Sequence, residues 1–331
     1  MSSRTLHLGL LILLTAAAIA VAWCSPAYER APAPTRARTT LGFVPAGAEL
    51  VVTVDVERLR ATTLGRLLTA EGRQLPEVGL LEQVCGFDPT ERIQDLVVAV
   101  PGPGAPSATR GDFGIVVVGN FEASRIVGCA ASVVKQRGGD PAVTPIGSFT
   151  AIRDRIHPSR GEVAVRDGGP AVLGSGEYLR VLVDIAEGRG RSEGDAGLHG
   201  ELRRAADPGG DGAIVATWQP SPGRFDALDP RTRRVWMNVA GLGVRVGVSP
   251  DLELRVLVVC AQQAGCHDVT EAVRALRSRL ALPARELLGI DLDDVSIRPQ
   301  PGQVELVLHL SAKEAEAFVE RLLRAGLDTP Q

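Results

Sequence analysis

Three short stretches of this chain carry residues whose types and spacing could hold a ligand. Gly174-Ser175-Gly176 joins an apolar run to a helical pattern, the place where a phosphate-cradling loop sits. The third glycine of that fingerprint is Leu179, no lysine follows, and Glu177 would repel a phosphate. Ser175 as a plain helix N-cap accounts for the stretch. Gly241-Leu242-Gly243 with Gly247 has a similar look, but its glycines alternate with Leu242, Val244 and Val246 and so belong to a strand. Asp291-Leu292-Asp293-Asp294 begins like a calcium loop and lacks that loop's glycine and distal glutamate. Cys260, Cys266 and His267 have the wrong spacing for a zinc site or a haem attachment. No serine sits in a G-x-S-x-G elbow, and no carboxylate pair stands out as an acid and base. The sequence predicts no catalytic residue, no cofactor and no metal.

A set of polar strand positions is the remaining candidate. Arg245, then Glu253 and Arg255, then Glu305 and His309 alternate with apolar residues along three runs. Such alternation puts them on the outer face of a sheet, as solvated surface or as an interaction face.

The elements that position them are most legible in the C-terminal part. Leu242–Val248 and Leu252–Val258 alternate around Ser249-Pro250-Asp251 and predict a hairpin. Asp268 and Glu271 predict a capped helix with Val269, Ala272, Val273, Leu276 and Leu280 inward. A second hairpin, Asp294–Arg298 and Val304–Leu310, turns at Pro301-Gly302. Ser311 and Glu314 form a capping box for a last helix with Ala315, Phe318, Val319, Leu322 and Leu323 inward, closed by Gly326.

A comparable order precedes this one. A strand over residues 112–120, a helix over Glu122–Arg137, a strand at 148–154, a hairpin around Asp167-Gly168-Gly169 and a helix from Ser175 to Ala186 follow in turn. Residues 49–100 suggest an incomplete third copy. The expected fold is α+β: antiparallel sheets with helices on one side, built from two or three βαββα units of ferredoxin-like order. Residues 41–195 and 196–331 are the two expected units.

Residues 1–24 are a leader. Arg4 precedes an apolar run, Leu8–Ala22, that spans roughly 22 Å as a helix, short of a ~30 Å hydrocarbon core. Ala20-Val21-Ala22 is a good cleavage site before Trp23. Three fates stay open: cleavage between Ala22 and Trp23, retention as a membrane anchor, and lipidation at Cys24, which the bulk of Trp23 disfavours. Residues 25–40 hold three prolines and no hydrophobic periodicity, the composition of a tether.

Beyond Cys24 the chain has four cysteines, Cys85, Cys129, Cys260 and Cys266. An even count in an exported chain favours disulfides over buried thiols. Four cysteines allow three connectivities, and sequence alone does not choose. Cys260–Cys266 is favoured because five residues between a strand end and a helix start bring the two together. Cys85–Cys129 then follows by elimination. The net charge of −3, with Lys135 and Lys313 the only lysines, argues against nucleic acid as a partner.

Three stretches, "LGFVPAGAELVVTVDVERLR", "AVLGSGEYLR" and "VELVLHLSAKEAEAFVERLL", pass from strand to amphipathic helix. On these the chain resembles a diffuse set of uncharacterised exported α+β proteins of high-GC Gram-negative bacteria. The resemblance implies export and repeated strand-to-helix units, and it brings no activity and no functional residues. The expected function is that of an exported, non-catalytic cell-envelope protein in the periplasm that binds an envelope protein or acts as a scaffold. A periplasmic ligand-binding module is second, and a hydrolase of unrecognised type is third.

Overall fold

The computed structural model describes residues 40–327 except 63–64, 67–75, 89, 104, 106–111, 159–160, 195–196, 222, 224 and 249–250, and without the side chains of 76–80 and 322–327. The leader, nearly all of the linker, Ala22, Trp23 and Cys24 lie outside the described residues, as does Ser249-Pro250.

Twelve described strands form one antiparallel sheet. They are β1 (Ala48–Asp55), β2 (Ile93–Pro101), β3 (Gly114–Gly119), β4 (Pro141–Ile146), β5 (Phe149–Asp154), β6 (Glu162–Val165), β7 (Ala171–Gly174), β8 (Ile214–Trp218), β9 (Val239–Val248), β10 (Leu252–Cys260), β11 (Ser296–Gln300) and β12 (Gln303–Leu310). In space they run β11-β12-β10-β9-β8-β1-β2-β3-β7-β6-β5-β4. Strands from 41–195 make one half and strands from 196–331 the other, joined where β1 pairs with β8. The near-continuous apolar run of β1 suits that middle place, since both of its faces are buried.

The described helices are α1 (Val56–Arg60), α2 (Pro76–Cys85), α3 (Ala123–Gln136), α4 (Tyr178–Ala186), α5 (Leu198–Ala206), α6 (Pro230–Met237), α7 (Gly265–Leu288) and α8 (Ala312–Leu327). None is long and apolar enough to cross a membrane. The helices lie on both faces, which corrects the one-sided expectation. Val52, Val54, Leu96, Val117 and Ala216 face a core closed by α1, α3 and α8. Trp236 of α6 and Val269 of α7 pack on the same face further along. On the opposite face Val51, Val97, Val116 and Val172 pack with Tyr178, Leu179, Leu182 and Val183 of α4. The apolar sides of both sheet faces have to be buried, and helices on one side would leave Val51, Val97 and Val116 in water.

Close approach at glycines helps to dock the helices of that second face. A Cβ on Gly243 would stand 2.8 Å from the Ala206 methyl of α5, and one on Gly114 would stand 2.2 Å from Leu182 of α4. The glycines that look like a nucleotide fingerprint in the sequence are a seat for a helix.

Several local expectations change. The run PAVTPI, between the expected helix and strand, is itself a strand, β4; it is the outermost strand, where the missing donors of its two prolines are tolerated. The segment after α3 therefore has four strands, and its order differs from that after β10. Helix α7 begins at Gly265 with Asp268 inside its first turn and not as its cap. Leu276, expected inward, is 42% exposed. Gly326 lies within α8. The Ser311–Glu314 capping box is present: the Ser311 amide donates to Glu314 Oε2 at 2.9 Å and the Glu314 amide to Ser311 Oγ at 3.4 Å.

Both disulfides are formed, Cys85–Cys129 and Cys260–Cys266. The first ties α2 to α3, and the second ties the end of β10 to the start of α7.

Two carboxylates hold the hairpin β4–β5 in place and give an acid signature. Asp154, 3% exposed, accepts from the Asp140 and Ile156 amides at 3.1 and 2.9 Å. Burial by itself would raise its pKa, but those amides and His157 outweigh burial and bring it down to about 2. Glu187, at the end of α4, accepts from Ser148 and pairs with Arg189, which lower it to about 2. Both folded values lie below the ordinary ones of 3.8 and 4.5. Their contribution is then fully present above those ordinary values and lost as the pH falls toward about 2. Urea midpoints between pH 5 and pH 2 are expected to fall, and to fall less steeply for Asp154→Asn.

Candidate interaction face

The register brings the five expected polar residues together on one face. Arg245 stands opposite Arg255 across β9–β10, Glu253 opposite His309 across β10–β12, and Glu305 opposite Leu257. Like charges directly opposite each other repel. Here the carboxylates on either side relieve that repulsion. Glu253 Oε1 is 2.5 Å from Arg245 Nη1 and 3.7 Å from Arg255 Nε, and Glu305 Oε1 is 3.6 Å from the same Arg255 nitrogen. His309 Nδ1 is 3.6 Å from Glu253 Oε2, and Arg298 Nη1 is 4.0 Å from Glu305 Oε2. The result is a ladder of alternating charge across four strands.

Arg245 is the exception to a surface assignment. It is 9% exposed, because α5 on the glycine seat carries the turn after it over the guanidinium. Arg245 Nε donates to Asp207 Oδ1 at 3.0 Å and Nη2 donates to Asp211 Oδ1 at 2.6 Å. The hydrogen bond from Arg245 holds the Asp211 carboxyl below the usual range. Gly247 leaves the room for this, since a Cβ there would stand 2.9 Å from Arg245 Nη2. Arg245 is thus an internal clamp, and the open part of the face is β10, β12 and β11. The helices of this side, α4 and α5, pack on β3, β7 and β6 and on β8, β9 and β10. At the outer strands His309 and Arg298 present side chains that are 67% and 65% exposed.

Asp207, Asp211 and Arg298 complete the ladder and were not among the expected residues. Arg298 had a signal: a hairpin turning at Pro301-Gly302 pairs residue 298 with 305. Nothing in the spacing links Asp207 to Arg245.

The other chemistry-bearing stretches have structural roles. Ser175 does not cap α4; its hydroxyl donates to Asp112 Oδ1 at 2.9 Å and accepts from the Phe113 amide at 3.3 Å. The Asp112 carboxylate adds a second negative group where a phosphate would sit. Asp291 accepts from the Asp293 amide at 3.0 Å and pairs with Arg285, a local turn. Among the described residues no group of three or more His, Cys, Asp or Glu could hold a metal ion. His199 is fully buried, with Nε2 2.9 Å from the Ala48 carbonyl and Nδ1 2.7 Å from Thr217 Oγ1. A carbonyl only accepts, so Nε2 carries the proton and Nδ1 accepts from threonine. This ties α5 to the β1–β8 seam. Trp218, Phe225 and Trp236 pack ring on ring, with centroids 5.3–5.9 Å apart, which leaves no room for a ligand between them.

No family model and no curated protein matches this chain. The solved structure of crystal form I of TP0453 is similar, with a TM-score of 0.48 and 10% sequence identity, over 86% of this chain and 97% of that one. At that score the likeness assigns no residue and no role.

Proposed function

We propose that this chain is an exported cell-envelope protein that acts by binding a protein partner on the outer strands of its charge ladder, without catalysis. The observation that supports it is the charge ladder across β10, β12 and β11, which ends in the exposed side chains of His309 and Arg298. Paired charges spread along neighbouring strands suit a protein surface better than a small ligand, which needs a concave site. The two disulfides are consistent with export. Residues 1–24 would direct export, as a cleaved signal peptide or as a retained or lipidated anchor, with 25–40 as the spacer.

The mirrored strand order on either side of the β1–β8 seam supports an internal duplication. β12 lies between β10 and β11, and β7 lies between β3 and β6, the arrangement of a split βαβ unit. The β4–β5 hairpin would be an addition to the first copy.

The test is a cross-linked co-purification of the tagged chain from its native envelope, comparing wild type with the double variant R298E/H309E. One reproducible protein captured by wild type and lost at least tenfold in the variant is the expected result. The same protein captured equally by both, or none captured by either, would overturn the reading.

A further inference from the structure

Helix α7 has one apolar face, and the sheet covers only its first half. At about 100° per residue, Val269, Val273, Leu276, Leu280, Pro283 and Leu287 fall within an arc of about 80°. Val269 is 2% exposed, Leu276 42% and Leu287 69%: the stripe starts in the core beside Val258 and Val304 and emerges into solvent. Beyond Leu276 the helix is held from another side, by Leu288 beside Ile290 and Leu308 and by Arg277 on the Val295 carbonyl, so the later leucines of this stripe stay outside the fold and have a second surface to meet.

We infer that this surface is a second copy of the same chain, docked antiparallel across a two-fold axis. The uncovered stripe is complementary to itself. An axis passing between Ala281 and Leu282 sets Leu276 opposite the partner's Leu287 and Leu280 opposite the partner's Pro283. The charges agree. Arg279 and Glu286 lie on one flank of the stripe, about 60° and 80° from Leu276. Equivalent flanks face each other in an antiparallel helix pair, so Arg279 comes within about 3 Å, along the axis, of a position opposite the partner's Glu286. The two-fold makes that contact twice. Arg274 is already paired with Glu271 and Arg285 with Asp291, whereas Arg279 and Glu286 are exposed and belong to neither pair. The inference stands apart from the envelope partner, whose face lies on the other side of the sheet.

Sedimentation equilibrium of the full chain in density-matched detergent, over a hundredfold concentration range, tests it. Wild type is expected to pass from monomer to dimer, and L276D/L287D to remain monomeric at the same far-ultraviolet circular dichroism. R279E is expected to weaken the dimer about tenfold by setting like charges across the axis, and R279E/E286R to restore it. A wild-type monomer throughout the range would overturn the inference, and so would a dimer that L276D/L287D leaves intact. Failure of the swap to restore what R279E removes would overturn the antiparallel register.

Discussion

Arg245→Met is expected to lower the unfolding free energy by about 3–5 kcal/mol, the range for removing one partner of a buried ion pair. The substitution preserves most of the side chain's volume, so the loss comes from charge. Asp207, whose side chain is 3% exposed, is left without the guanidinium it accepts from. Glu253 loses the same partner, and its carboxylate no longer balances two arginines. Arg298→Ala makes the contrast within one ladder. Its side chain is 65% exposed and 4.0 Å from Glu305, so it is expected to cost less than about 1 kcal/mol. Urea unfolding of both variants at neutral pH gives the comparison. Equal midpoints would mean that Arg245 is solvated and that α5 does not close over it.

Breaking Cys85–Cys129 with paired serines is expected to cost about 4 kcal/mol, and breaking Cys260–Cys266 about 2 kcal/mol, from the loop entropy each removes from the unfolded chain. The sequence separations of 44 and 6 set that order. Packing points the same way. Helix α2 meets the rest of the protein mainly at α3, through the disulfide and the Arg125 guanidinium 4.2 Å over the Phe87 ring. Cys260 and Cys266 are held by neighbours whether or not they are bonded, since Val239, Val258 and Val269 bury them. The check is the ranking of thermal midpoints of the two double variants. A larger loss from Cys260→Ser/Cys266→Ser would mean that native-state packing and not chain entropy sets the cost.

What could be read in advance followed local periodicity. Strands β10 and β12 and helices α3 and α8 stand within two residues of their expected bounds, and β9 starts three residues before its own, because each carries an unbroken period of two or a heptad-like stripe. The partition of helices between two faces could not be read that way. It depends on which parity of β1, β2 and β3 is buried, and those strands are apolar on both. The glycines that seat α5 look in the sequence like small strand residues, since their meaning lies in Leu202 and Ala206 some 40 residues earlier. Of the candidate face, Glu253, Arg255, Glu305 and His309 followed from alternation alone. The burial of Arg245 did not, because Asp207 and Asp211 reach it through tertiary packing with no sequence period.

Both the export claim and the stapled fold bear on one quantity, the covalent state of the protein in its own envelope. Non-reducing intact mass of the native protein, followed by thiol alkylation and peptide mapping, reads it directly. The expected mass is four hydrogens below that of the reduced chain, with peptides joined at Cys85–Cys129 and at Cys260–Cys266. The same spectrum reports whether residues 1–22 are gone or Cys24 carries lipid. Four thiols that alkylate at Cys85, Cys129, Cys260 and Cys266 before any reductant is added would contradict it, and would return the protein to a reducing compartment.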